Sequence, residues 1–164
     1  LIVESWGKDS TLVFGPAYKG IPLAVATVIA LAKNHSMNVA YSANRKEVKD
    51  YADKSKLLGS PIEKDSRIVL VDDVITTGAT KVEAVEFIKS EAEATILGLA
   101  IGLDRQELDD EGKNAAAEFI KMSRVPVQSI ITARDILSYL KEHPDTSKEN
   151  IVAMEKYIRE FGSE

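Results

Sequence analysis

The chain has 164 residues, 45% of them hydrophobic and 29% charged, with a formal net charge of -5 and no cysteine. That length supports one well-packed domain rather than two, and the acidic balance argues against a general nucleic-acid binder. The lack of cysteine excludes disulfides, thiolate metal sites and thiol nucleophiles, and fits a reducing compartment such as the cytoplasm.

The first residues, LIVESWGKDS at 1–10, do not begin with Met and read as the tail of an amphipathic helix stopped near Gly7. The expectation is a chain that starts inside a domain, with Trp6 packed in a core or interface. Residues 11–14 form a short strand of buried type, followed by GPAYKG and a helix over 22–33, where Pro22 is tolerated in the first turn. The apolar run at 21–32 has the length of a buried helix and falls short of the roughly 18 residues of a membrane span, so a soluble chain is expected.

NVAYSA at 38–43 is a second strand. RKEVKDYADKSK at 45–56 then sets five basic residues against three acidic ones, a net of +2 in a chain whose remainder carries -7. On charge alone it reads as a solvated surface loop. The sharper reading is a mobile loop that grips an anion.

Residues 67–71 make a third strand, uniformly apolar through Ile68, Val69, Leu70 and Val71, as expected when both sheet faces are covered. A helix over 79–90 follows, with Val82, Val85 and Ile88 on one stripe. TILGLAIGL at 95–103 is a fourth strand, and a helix over 113–122 leads to the strand VQSIIT at 127–132. The next helix starts near Ala133, where Thr132 and Asp135 suggest an N-cap pair, and the last covers 148–161. Strands alternating with helices predict an α/β fold, a doubly wound and mostly parallel sheet in one domain over 1–164. His35 and His143 have no partnering carboxylate pattern and are expected at the solvated surface. No P-loop pattern occurs.

In such a sheet, ligands bind beyond the carboxyl ends of the strands. GPAYKG follows the first strand, DDVITTGAT the third and LDRQE the fourth, so three unusual loops converge there. In RIVLVDDVITTGAT at 67–80, Asp72 and Asp73 are expected to leave the strand about one turn before a helix that begins after Gly78. The N–H groups of Thr77, Gly78, Ala79 and Thr80 are then free donors at a positive dipole end, joined by the hydroxyls of Thr76, Thr77 and Thr80. That end suits a phosphate, while the two carboxylates suit vicinal ribose hydroxyls. The ligand reads as a phosphorylated ribose, although a single Asp-x-x-Thr-x-Gly would fit an ordinary capped turn.

VLVDDVITTGAT resembles the phosphoribosyl diphosphate (PRPP) signature of type I phosphoribosyltransferases, and FGPAYKGIPLA, NRKEVKD and LDRQE look specifically like the orotate phosphoribosyltransferases. The resemblance runs from about Val13 to the C-terminal YIREFG. It implies a sheet of the type I phosphoribosyltransferase kind and transfer of phosphoribosyl from PRPP to orotate, giving orotidine 5'-monophosphate and pyrophosphate in de novo pyrimidine (UMP) biosynthesis. It also implies roles. Asp72 and Asp73 would hold the ribose hydroxyls, and Val74, Ile75, Thr76, Thr77, Gly78, Ala79 and Thr80 would form the PRPP loop around the 5-phosphate. Tyr18 and Lys19 would contact the pyrophosphate, with the Ala17–Tyr18 peptide in the cis form, and Tyr51 would bind PRPP. Arg45, Lys46 and Lys49 would grip the departing pyrophosphate, with Lys49 the most rate-sensitive, while Asp73 completes the catalytic set. Thr76 and Arg105 would address orotate.

Magnesium would ride on PRPP oxygens without dedicated protein ligands. Relatives of this kind are homodimers in which the loop matching 45–56 closes over the neighbouring subunit. Two departures stand out. Tyr51 replaces the family's histidine, and Ala52, Asp53, Lys54 and Ser55 replace GEGG, which should stiffen the loop. The N-terminal hood with its LKSGRxSPxFF-like segment has no counterpart, so the hood is expected to be absent or incomplete and the domain N-terminally truncated. The alternatives are a catalytically weak PRPP-binding regulatory protein and a phosphoribosyltransferase for another base.

Overall fold

Leu12, Val13 and Phe14 are each no more than 2% exposed, which a strand achieves only when both its faces are covered. The computed structural model describes residues 1–46, 56–76, 78–109, 111–143, 145 and 147–163. In chain order its elements are α1 (Ile2–Trp6), β1 (Leu12–Phe14), α2 (Gly20–His35), β2 (Ala40–Asn44), β3 (Leu57–Gly59), β4 (Arg67–Val74), α3 (Ala79–Glu91), β5 (Thr95–Asp104), α4 (Ala115–Ser123), β6 (Val127–Thr132), α5 (Ala133–Glu142) and α6 (Lys148–Phe161). Among the described residues the strands form a six-stranded sheet in the order β3-β2-β1-β4-β5-β6. Every neighbouring pair is parallel except β2 with β3. This is the mostly parallel, doubly wound sheet that the alternating pattern predicts.

Strand parity divides the core into two layers. Ile68 and Leu70 of β4 pack on one face with Val85 and Ile88 of α3 and Phe119 of α4. Val69 and Val71 pack on the other with Ala24 and Leu31 of α2, and Trp6 of α1 lies against this second cluster, as core packing would have it. Each fully buried Leu, Ile or Phe contributes about 1.5–3 kcal/mol by leaving water.

Several boundaries differ from the expected ones for physical reasons. The helix expected over 22–33 begins at Gly20 and ends at His35, because Pro22 in the first turn gives up an N–H that has no intrahelical partner anyway. Its end is set by Ser36, left-handed at φ 55, whose N–H donates to the Leu31 carbonyl. β3 is absent from the sequence reading; it has only two apolar residues, and its pairing of Leu57 with Asn44 and Leu58 with Ala43 spans a long interval of chain.

The aspartates do not leave the third strand after Val71. β4 runs on to Val74 because β5 keeps pairing with it, Asp72 opposite Ile101 and Val74 opposite Leu103. Elsewhere the chain follows the pattern closely. Thr132 and Asp135 form a reciprocal capping box, and His35 and His143 are exposed. Among the described residues no helix is long and apolar enough to cross a membrane.

Candidate active site

Consecutive residues of a strand point to opposite faces, so Asp72 and Asp73 cannot project in one direction. Asp72 shares the face of Ile68 and Leu70, toward α3, where Lys81 Nζ lies 2.5 Å from its Oδ2. This pair is largely shielded, with Asp72 7% and Lys81 12% exposed. Asp73 shares the face of α2, and its Oδ2 accepts a hydrogen bond from Lys19 Nζ at 2.7 Å. The Asp73 N–H donates to Asp72 Oδ1 and the Val74 N–H to Asp73 Oδ1, each at 2.9 Å. Two adjacent carboxylates would repel a polyanion, but each is matched by an ammonium, so the strand end is locally neutral.

The Lys19–Asp73 pair shifts both groups. Its hydrogen bond and then the carboxylate's charge raise the Lys19 ammonium above its usual pKa. Partial burial pushes the Asp73 carboxyl up, yet hydrogen bonds from Lys19 and the Val74 N–H, with the Lys19 charge, outweigh it and hold the group below the ordinary carboxylate range.

The GPAYKG loop that carries Lys19 is folded tightly on itself. A Cβ at Gly15 would stand 2.0 Å from the Gly20 carbonyl oxygen, so only glycine permits the approach. Gly20 N–H donates to the Pro16 carbonyl at 3.0 Å, and Ala17 N–H donates to Asn44 Oδ1 at 2.9 Å. The Ala17–Tyr18 peptide is cis. Tyr18 is exposed, and Lys46 Nζ sits 5.3 Å from its ring centroid, within cation–π range. Arg45 is engaged by β3: its N–H donates to the Lys56 carbonyl at 2.8 Å and its Nε to the Leu57 carbonyl at 3.4 Å. Lys49, Tyr51 and Thr77 lie outside the described residues.

Across the strand end, α3 opens at Gly78, left-handed at φ 76, with no side-chain cap. Its first N–H groups precede any helical acceptor, and Thr76, Ala79 and Thr80 around them are exposed. Val74 is half-buried. Ile75, expected with the ligand loop, buries its side chain in the core at 4% exposure, which leaves only its backbone for a ligand. Arg105 stands two residues beyond Leu103, as Thr76 stands two beyond its partner Val74. Its Nη2 contacts Glu107 Oε1 at 2.5 Å and the Tyr157 hydroxyl at 3.0 Å, and its Nε meets the same hydroxyl at 3.3 Å.

The structure thus brings Tyr18, Lys19, Lys46, Asp73, Thr76, Gly78, Thr80 and Arg105 to the carboxyl edge of β1, β4 and β5. It adds Lys81, Asn44, Glu107 and Tyr157, which the sequence reading does not single out. Lys81 carries one usable signal: a cation in the first turn of a helix opposes the dipole and needs a partner. The donor set suits a divalent cation that arrives on phosphate oxygens, since both site carboxylates already face ammonium groups. Among the described residues no three His, Asp or Glu side chains converge to cage one.

The family model described as Phosphoribosyl transferase domain matches residues 2–132. Orotate phosphoribosyltransferase of Escherichia coli is 42% identical over 161 residues, covering 98% of this chain and 73% of that protein. The Cronobacter sakazakii enzyme of the same name gives the same identity and coverage. The crystal structure of orotate phosphoribosyltransferase from Francisella tularensis superposes with a TM-score of 0.80 at 28% identity, over 99% of this chain and 75% of that one. A Mycobacterium tuberculosis orotate phosphoribosyltransferase in complex with PRPP shares the fold at a TM-score of 0.63 and 21% identity, over 82% and 69% of the two chains. The chain belongs to the phosphoribosyltransferase family, and within it to the orotate phosphoribosyltransferases.

Proposed function

We propose that this protein transfers phosphoribosyl from PRPP to orotate, releasing pyrophosphate and forming orotidine 5'-monophosphate for pyrimidine biosynthesis. The observation that carries the reading is the Lys19–Asp73 ion pair, which ties the GPAYKG loop to the DDVITTGAT strand end beside an uncapped helix start. The 5-phosphate sits on the N–H groups and hydroxyls of Thr76, Thr77, Gly78, Ala79 and Thr80, where donors and helix dipole favour an anion. Lys19 gives up its carboxylate partner for a diphosphate oxygen as PRPP enters, which frees Asp73 for a ribose hydroxyl. Asp72, held by Lys81 on the opposite face of the strand, accepts the Asp73 N–H and so steadies the backbone behind that carboxylate. Tyr18 and Tyr51 flank the diphosphate, and Thr76 and Arg105 receive the base.

In the reaction, the bond from ribose C1 to the diphosphate oxygen breaks while orotate N1 bonds to C1, and the N1 proton passes to solvent. The ribose becomes oxocarbenium-like as negative charge gathers on the leaving oxygens. Arg45, Lys46 and Lys49 stabilise that charge, so their effect falls on turnover more than on PRPP affinity. A magnesium ion carried in by PRPP would supply further neutralisation of that charge. The protein acts as a homodimer in the cytoplasm, with the 45–56 segment serving the neighbouring subunit. The basic excess of that segment within an acidic chain and its freedom from cysteine support these readings.

The test is turnover with PRPP and Mg²⁺ in the presence of orotate, uracil or adenine, measured as nucleotide and pyrophosphate formed. Orotate alone should be consumed. Turnover of uracil or adenine without orotate would reassign the base.

A further inference from the structure

Arg105 is held from two sides by residues remote from the PRPP motifs. Its guanidinium offers five N–H donors. Nε and Nη2 are spent on the Tyr157 hydroxyl and on Glu107 Oε1. Among the described residues Nη1 has no partner, so its two N–H groups remain for an incoming carboxylate.

The helix that supplies Tyr157, α6, contains no fully buried residue and packs along α5, where Glu155 Oε1 meets Lys141 Nζ at 2.6 Å. Its C-terminal end is also tied by polar contacts to the segment that carries Arg105. Leu108 N–H donates to the Phe161 carbonyl at 2.8 Å, and Ser163 N–H donates to the Gln106 carbonyl at 2.6 Å. Asn114 Nδ2 reaches Ser163 Oγ at 3.3 Å, and Glu107 bridges to Gly162. Gln106 is left-handed at φ 53, with its N–H fixed on Asp104 Oδ1 at 2.8 Å. The Tyr157 ring leans on Phe161, centroids 5.4 Å apart, which holds the hydroxyl in place. A free arginine loses much rotamer entropy when it captures a ligand. A tethered one has lost it already.

We propose that Tyr157, together with Glu107, is a positioning residue for Arg105 and thereby sets affinity for a base that bears a carboxylate. The inference rests on the reading of orotate as the acceptor. It assigns α6 a part in base recognition that its sparse burial would not suggest.

The experiment compares wild type, Tyr157→Phe, Glu107→Gln, Arg105→Ala and the Arg105→Ala/Tyr157→Phe double variant by steady-state kinetics in both substrates and by thermal melting. Tyr157→Phe keeps the ring against Phe161 and removes only the hydroxyl. It should raise KM for orotate about three- to tenfold, the scale of one ordinary hydrogen bond felt at second hand through Arg105, with KM for PRPP and the melting temperature unchanged. Glu107→Gln should act in the same direction. In the Arg105→Ala background, Tyr157→Phe should add nothing, since both act through one group. An unchanged orotate KM in Tyr157→Phe, or an equal rise with Arg105 absent, overturns the positioning role. A wild-type enzyme that leaves orotate unconsumed overturns the functional reading, and the inference with it.

Discussion

Replacing Lys81 by Met removes the charge that faces Asp72 while keeping an unbranched side chain of similar length. At the 2.5 Å separation of Lys81 Nζ and Asp72 Oδ2, Coulomb's law gives a gross attraction of about 7 kcal/mol at an effective dielectric of about 20. Desolvation of both ions offsets much of this in the wild type. The variant, however, leaves one carboxylate shielded without its partner, which costs about 3–5 kcal/mol in buried settings. Lys81 keeps 12% of its exposure, so the lower end, about 3 kcal/mol, applies. A domain of this size loses about 2–4 °C in Tm per kcal/mol, which gives a fall of about 6–12 °C. Scanning calorimetry at neutral pH measures it. The Lys81→Met/Asp72→Asn variant should recover most of the loss, because a buried neutral amide costs less than a buried lone charge. A fall below about 2 °C in the single variant, or a double variant no more stable than the single, would refute the reasoning.

Asp73→Asn should weaken PRPP binding in calorimetry by on the order of 1.5–3 kcal/mol, the worth of one charge-assisted hydrogen bond; unchanged affinity would remove Asp73 from the ribose site. Lys49→Ala should lower kcat strongly with PRPP affinity nearly intact, and mixing it with Asp73→Asn under subunit exchange should restore part of the activity above either variant mixed with itself. Absence of complementation, with exchange verified by mass spectrometry, would place the loop's action within its own subunit. The Lys19–Asp73 tie has a defined pH window. The lowered carboxyl adds stability above the ordinary carboxylate range that disappears as pH falls through its native pKa, and the raised ammonium adds stability that disappears only as pH rises through its own raised value. The Tm gap between wild type and Lys19→Met should therefore hold steady between about pH 5 and 9 and narrow below about pH 4. A gap that widens on acidification would contradict the sign.

What the sequence made legible was what its chemistry encodes within one turn or one strand. The string from Asp72 to Thr80 can be read as a candidate ribose and phosphate site because its donors and acceptors are contiguous, and the Thr132 cap is readable for the same reason. The error at β4 has a plain cause. By pattern an apolar run ends at its first charge, yet β5 pairs on through Asp72 and Val74 because Lys19 and Lys81 make the two carboxylates tolerable there. Lys19 sits 54 positions from Asp73 and Tyr157 sits 52 from Arg105. No local pattern specifies such encounters. β3 escaped for a related reason, since Leu57 and Leu58 become a strand only against the edge that β2 offers.

The alternation along β4 also makes the site sensitive to parity. One residue added or removed between Arg67 and Val71 would turn every following side chain to the opposite face. The aspartate now opposite Lys81 would then confront the GPAYKG loop, and the one now bound by Lys19 would be driven toward α3. An aspartate would still face each lysine, but the pair would be offset by one residue from the uncapped start of α3. A change of two residues would return each carboxylate to its proper side and merely lengthen the strand. The spacing from the apolar run to the first aspartate therefore decides which face each carboxylate takes, and an odd change in it would have to be absorbed by a bulge such as the one β5 makes opposite Ile68 and Val69.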